Sequence, residues 1–326
     1  MLKSKVYSAP SNIAIIKYMG KTSAQQNLPT NASISYTLNH LRSFVTIEPI
    51  AGENDQWQPL AGDDLLSMEL SEKGKTKFLN HLSRIKDLWG VKQSYLVRSA
   101  NNFPSDCGIA SSSSSFAALT MAAATEFEKI RPNGKASAEA MSKISRLGSG
   151  SSCRSFFDPW AVWETDGAQK WNGQFKDLNH SVMLLDSTKK EVSSSDAHVR
   201  VPSSPLFTER QKNVKRRLEL LETANMNKDW NAFCALAIEE FEEMHQLFET
   251  SVPSFSYRND KTMSVLKRLH QINGELKSKM LITMDAGNNI HFLTLPDHRE
   301  DLQNLAELFP QNTFINSWLF TGAQSV

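Results

Sequence analysis

The stretch FPSDCGIASSSSSFAAL, residues 103–119, sets five consecutive serines, Ser111, Ser112, Ser113, Ser114 and Ser115, directly before an apolar run of helical character. Gly108 permits a tight turn, and the serines bring small side chains with hydroxyl donors. A helix that follows aims free N–H groups and its positive dipole end back at the loop. Such a turn can hold a polyphosphate. Serine is also a good helix cap, so a polar linker ending in an N-cap fits the same residues. The rest of the chain has to decide between the two.

Around that stretch lies a chain of 326 residues, 40% hydrophobic and 22% charged, with enough apolar material for one large or two medium domains. Lys plus Arg (36) nearly balance Asp plus Glu (35), so no global field favours nucleic acid or an acidic membrane. A small-molecule partner is expected, and a local basic pocket is enough to bind an anion. The three cysteines, Cys107, Cys153 and Cys234, have neither CxxC spacing nor His-rich neighbours. That argues against a disulfide framework and a zinc site, and for a reducing compartment. The N-terminal MLKSKVYSAPSN has no apolar signal core, and no run of about 20 apolar residues occurs to span a bilayer. A cytoplasmic protein is expected.

Strand-like segments at 43–49, 94–100, 160–165, 181–186, 280–285 and 290–295 alternate with helical ones, which makes the class mixed α and β. The IAII before Lys17 reads as a buried strand. Helical periods cover 75–89, stopped by Gly90, then 115–130 and 136–147. Thr208 with Gln211 reads as a capping box, and a further helix covers 230–248. The polar 188–205, with two prolines, is expected beside the domain junction or as a loop over a site. This divides the chain into 1–187 and 188–326.

Two GKT triplets, at Gly20 and Gly74, invite a Walker A reading, but that motif needs a further glycine where this chain has Ile15 and Glu69. GSGSSC at 148–153 nearly matches GxGxxG, yet Cys153 takes the third glycine.

Read together in order, SAPSNIAIIKYMGK, NLPTNASISYTL, NNFPSDCGIASSSSSFAAL, GSGSSCRS and MDAGNN resemble the mevalonate diphosphate decarboxylases of the GHMP small-molecule kinase superfamily. The resemblance runs from about Tyr7 to Leu295. It implies an α+β GHMP kinase fold, with a ribosomal-protein S5 domain 2-like first part joined to a ferredoxin-like second part and the site between them. Residues 1–187 would then bind ATP and substrate, and 188–326 would carry the catalytic aspartate. The implied reaction uses ATP and Mg2+ to phosphorylate the tertiary 3-hydroxyl of mevalonate 5-diphosphate. Phosphate and carbon dioxide then leave to give isopentenyl diphosphate. A homodimer is also implied.

Residue by residue, the resemblance makes 104–114 the loop around the ATP triphosphate, with Pro104, Gly108, Ala110, Ser111, Ser112, Ser113 and Ser114 as its contacts. Ser112 matches the hydroxyl nearest the transferred group. Asp285 of MDAGNN matches the carboxylate that takes the alcohol proton, a role the chemistry requires. The plain structural alternative is a strand-ending Asp in a turn. Arg154 matches the arginine that holds the substrate carboxylate and the aspartate, and its planar fork suits that task. A surface salt bridge is its structural alternative. Ser149 and Ser151 match substrate-contacting serines, Lys17, Tyr18 and Lys21 fall on the KYWGK motif, and Asn12 lies just upstream. Lys189 and Lys190 are candidates for the ATP phosphates, while His245 on its helix is expected to pack. Magnesium ligands are not assigned, although a serine of the loop is a candidate.

Departures from the family are concrete. Met19 replaces the Trp of KYWGK, Asp158 and Pro159 follow the arginine motif in place of small residues, and Asn288 replaces the Pro of the DAGPN turn. In 192–204 no residue matches the Thr of the Gly-Met-x-x-Thr-like run that meets the substrate diphosphate. A 5-diphosphate and a 5-monophosphate substrate therefore both stay open, as does a mevalonate kinase without decarboxylation. Asp285, Arg154 and Lys17 together favour decarboxylation. Loss of the Asp or Arg would mark a non-catalytic binding protein, and both are present.

Overall fold

The computed structural model describes residues 5–66, 69–104, 111–185, 190–276 and 279–319. The chain opens with β1 (Tyr7–Ile16), a small hairpin of β2 (Lys21–Ser23) and β3 (Leu28–Pro29), the long β4 (Ser33–Ile50) and β5 (Gln56–Pro59). Then come α1 (Glu72–Trp89), β6 (Ser94–Asn101), α2 (Ser111–Ile130), α3 (Ala138–Arg146), a 3-10 turn over Gly150–Phe156, β7 (Trp160–Trp163) and β8 (Ala168–Lys170). All of these strands except the β2-β3 hairpin form one sheet in the order β5-β6-β4-β7-β8, with β1 paired to β4. β1 is buried along nearly its whole length, as its apolar IAII run requires.

The second half contains β9 (Asn179–Leu184), α4 (Ser194–Arg200), α5 (Phe207–Met226), α6 (Trp230–Thr250), α7 (Asp260–Glu275), β10 (Met280–Met284), β11 (Ile290–Thr294), α8 (Arg299–Leu308) and β12 (Thr313–Asn316). Its antiparallel sheet has the order β10-β11-β9-β12. β9 lies ahead of the expected junction at 187/188, yet it pairs with β11 and β12, so the change of sheet falls between β8 and β9.

Three apolar groups hold the layers. Phe78, Leu82 and Ile85 of α1 and the alanine-rich face of α2 pack on β4 and β6. Ile13, Tyr36, Trp160, Val182, Leu281 and Leu293 join the two sheets to α5 and α6 in a shared core. Leu266, Leu269, Leu302 and Leu305 cover the outer face of the second sheet. Burying each such side chain contributes roughly 1.5–3 kcal/mol.

Several expected boundaries move, each for a local reason. α1 starts three residues early because the Ser71 hydroxyl accepts from the Gly74 N–H at 3.2 Å. α2 starts at Ser111 rather than 115, so the five serines are its first turn and not a loop. The Thr208/Gln211 capping box does not form. Helix α5 begins at Phe207, the Leu206 N–H donates to the Ser204 hydroxyl at 3.2 Å, and Gln211 reaches Thr30 at 3.4 Å. The polar 188–205 is no linker in its described part, because Val192, Ala197 and Val201 are buried against Met19, Met244 and Ala286. Met19 thus fills an apolar contact at the position where the KYWGK motif it resembles has Trp. Among the described residues no helix is long and apolar enough to cross a membrane.

Candidate active site

β1 ends at Ile16, and the next five residues, Lys17 to Lys21, run along a cleft between the two halves. The opposite wall comes from Asp285 and Ala286 after β10, from Ser194, Ser195 and His198 of α4, and from Met244 of α6. α2, its neighbouring 3-10 turn and α1 close a third side with Ser112, Ser149, Arg154 and Lys77. About 860 Å³ of empty space lies within, its open mouth included. Among these described lining residues Lys17, Lys21, Lys77, Arg154 and Lys190 are cationic and Asp285 alone is acidic, so the cleft is built for anions.

At one end Lys17 Nζ donates to Asp285 Oδ1 at 2.6 Å. Lys17 is almost fully buried, whereas a quarter of the Asp285 side chain remains exposed to the cleft. Burial pushes the Asp285 carboxyl up, but the charge of Lys17, then His291, the Lys17 hydrogen bond and Arg154 outweigh it and hold the group below the ordinary aspartate range. Burial draws the Lys17 ammonium down against the pull of Asp285 and Glu240. The backbone here is anchored as well. The Lys17 N–H donates to Glu240 Oε1 at 3.0 Å, and Asn31 Nδ2 donates to the Lys17 carbonyl at 2.8 Å. Glu240 is itself fully buried in an ion cluster with Arg210 and Arg217.

Arg154 is buried beside this pair. Its Nε donates to Asn12 Oδ1 at 3.2 Å and its Nη1 to the Ser33 hydroxyl at 2.8 Å, both neutral acceptors. No carboxylate among the described residues forms a salt bridge with it, although the charge of Asp285 reaches it. A buried guanidinium whose described hydrogen bonds go to neutral acceptors is a site for an incoming carboxylate. Asn12 does not line the cleft: its Nδ2 donates to the Ser155 hydroxyl at 2.9 Å and to the Ser151 carbonyl, so it braces the arginine turn.

The serine run splits into two roles. Ser112 lines the cleft with its hydroxyl 3.4 Å from that of Ser149, and Ser151 lines it nearby. Ser113 and Ser114 are buried and absent from the lining. Ser114 and Ser115 bond Ser43 of β4 at 2.7 and 3.1 Å, and both hydroxyls also donate back to the Ser111 carbonyl. Small side chains let α2 lie close to β4, so these serines serve packing. Pro104 and Ser111 likewise are not lining residues. Gly108, Ala110 and Lys189 lie outside the described residues. The near-match GSGSSC is explained by packing too, because a Cβ at Gly148 would meet Phe116 at 2.2 Å and one at Gly150 would meet Tyr18 at 2.8 Å.

Tyr18 and Lys21 also line the cleft. The Tyr18 hydroxyl is buried and has no hydrogen-bond partner among the described residues. Lys21 Nζ donates to Asn27 Oδ1 at 2.7 Å, and burial, with Lys77 nearby, lowers it to about 8. His245 is fully buried among Phe241, Phe248 and Tyr257, consistent with packing, and burial holds it neutral down to about 3. Sequence reasoning missed Lys77, Glu240 and His198. Lys77 reads as one more polar position of an amphipathic helix, and Glu240 as one more acid of EEFEE.

An α+β molecule with two sheets and an anion-binding cleft at the start of a serine-rich helix defines a protein of the GHMP kinase fold. Residues 9–173 match the diphosphomevalonate decarboxylase-like N-terminal domain, and 181–325 match the mevalonate 5-diphosphate decarboxylase C-terminal domain. The chain belongs to the diphosphomevalonate decarboxylase family. It is similar to the crystal structure of the mevalonate diphosphate decarboxylase of Legionella pneumophila at 38% identity and TM-score 0.88, over 95% of this chain and 99% of that one. It is similar to the Enterococcus faecalis enzyme in complex with MVAPP, AMPPCP and magnesium at 27% identity and TM-score 0.82, over 95% and 96%. The diphosphomevalonate decarboxylase of Schizosaccharomyces pombe is 32% identical over 330 residues, 93% of this chain and 82% of its own.

Proposed function

We propose that this protein is an ATP-dependent carboxy-lyase that converts mevalonate 5-diphosphate to isopentenyl diphosphate, carbon dioxide, ADP and phosphate. The observation that carries the reading is the Lys17–Asp285 pair at 2.6 Å beside Arg154, whose described hydrogen bonds go to the neutral Asn12 and Ser33. Asp285 is ionised and a quarter open to the cleft, so it accepts the proton of the 3-hydroxyl as that oxygen attacks the γ-phosphorus of ATP. Lys17 fixes the carboxylate in place. Arg154 takes the substrate carboxylate in its fork and orients it for loss as carbon dioxide once the C3–O bond to phosphate breaks. The electron pair of the breaking C–C bond then forms the new double bond. No covalent nucleophile is needed, and Cys153 and Cys234 are buried free thiols.

The triphosphate is read at Ser112, in the first turn of α2, with Lys77 and Lys190 as flanking cations and Ser149 on the substrate side. No cluster of three metal-ligating side chains exists among the described residues. A magnesium ion held largely by phosphate oxygens and water fits that donor set, with the Ser112 hydroxyl as the protein's share, and it would neutralise charge on the phosphates. The cytoplasmic setting rests on the chain's composition and cysteines, and the homodimer on the family resemblance, with sedimentation as its check.

Turnover with mevalonate 5-diphosphate, 5-phosphomevalonate and mevalonate, each with ATP and magnesium, tests the substrate. The highest kcat/KM is expected for the diphosphate. Preference for 5-phosphomevalonate or mevalonate would move the chain to one of those alternatives.

A further inference from the structure

His198 has a fixed tautomer and a donor without a partner among the described residues. Gly20 holds φ at +96°, where a side chain at that position would meet Phe207 and Thr30 at 2.8 Å. In this conformation its N–H donates to His198 Nδ1 at 3.0 Å. A backbone N–H can only donate, so Nδ1 must keep its lone pair and the proton of the neutral ring sits on Nε2. Burial, with the charge of Lys21, keeps the ring neutral down to about 3. The ring lies tilted over Tyr18 with centroids 4.2 Å apart and lines the cleft, and its Nε2 makes no hydrogen bond to a described residue.

Three lining residues of the cleft therefore carry donors here: Lys21 Nζ, His198 Nε2 and the Tyr18 hydroxyl, the last of them buried. None has an acidic partner among the described residues. The substrate's hydroxy-acid end is taken by Asp285 and Arg154, so its phosphate end is what remains for them. We propose that His198 is a specificity residue that donates from Nε2 to the 5-diphosphate of the substrate, alongside Tyr18 and Lys21. The inference rests on the reaction proposed above. It also gives the divergent 192–204 segment a task that no residue matching the family's Thr fills there.

The test compares wild type with His198→Ala, His198→Gln and His198→Asn in the full chain, measuring KM and kcat for mevalonate 5-diphosphate. Gln places a donor near the Nε2 position, whereas Asn keeps only an acceptor near Nδ1 for Gly20. Ala and Asn are expected to raise KM by ~10- to 100-fold with kcat little changed, as for a lost hydrogen bond to a charged group, while Gln stays within roughly threefold. Rescue by Asn and not Gln would mean that the ring only props Gly20, and an unchanged KM in Ala would mean no contact; either overturns the proposal. If Ala does not fold, the Gln and Asn pair decides. Calorimetric binding of inorganic pyrophosphate gives a readout without turnover. Binding at least ~10-fold weaker in Asn than in Gln supports the proposal even if the reaction reading fails, and equal binding contradicts it.

Discussion

The two ends of the cleft use charge differently. At the Asp285 end each group is fixed by the protein: Lys17 on the carboxylate, Glu240 and Asn31 on the Lys17 backbone, Asn12 and Ser33 on Arg154. At the Lys21 end the Tyr18 hydroxyl has no partner among the described residues and Lys21 leans on the neutral Asn27. Rigid, paired charge suits a reacting centre, where a misplaced group costs rate. Unsatisfied donors suit capture, where the ligand supplies the missing charge. One end is built for kcat and the other for KM.

The largest effect that tests this division belongs to the paired end. Asp285→Asn is expected to lower kcat by about 1000-fold or more while ATP binds as before, checked by steady-state rates beside calorimetry. Near-normal turnover would remove the base assignment. Arg154→Lys keeps the charge but not the fork, and kcat/KM is expected to fall by about 100-fold. A loss of only a fewfold would mean that the planar geometry is idle.

A smaller effect concerns the support. Glu240→Ala removes one of the two carboxylates that Arg210 and Arg217 share, Glu243 being the other, at a cost of up to about 3–5 kcal/mol in urea unfolding. A change under about 1 kcal/mol would show that the cluster is solvated.

The smallest effect is a pH dependence at the capture end. Lys21 is lowered to about 8, with Lys77 and His198 beside it. The substrate anion binds the protonated amine, so KM stays flat below about pH 8 and rises above it by up to about tenfold per pH unit. Lys21→Arg should remove that limb, since a guanidinium stays charged. A limb that persists in the Arg variant belongs to another group.

Motif order made the chemistry of the paired end legible in the sequence, because Lys17, Arg154 and Asp285 come from three distant segments that only a fold brings together. The capture end was half legible. Tyr18 and Lys21 sit in a motif, whereas His198 lies in a polar stretch that composition reads as a linker, and its short helix α4 is held by just a few buried apolar residues. The serine run was read too broadly. Alternation between a cleft-facing hydroxyl and hydroxyls turned to Ser43 depends on which way a helix faces its sheet, and five identical residues carry no such signal. The second sheet's claim on β9 was likewise hidden, since strand pairing is non-local.

The most direct measurement counts products. Purified protein with ATP, magnesium and mevalonate 5-diphosphate labelled in the carboxyl carbon should release carbon dioxide and ADP in equal amounts. ADP without carbon dioxide would contradict the account, because Arg154 and Asp285 would then serve a phosphoryl transfer that stops at the 3-phosphate.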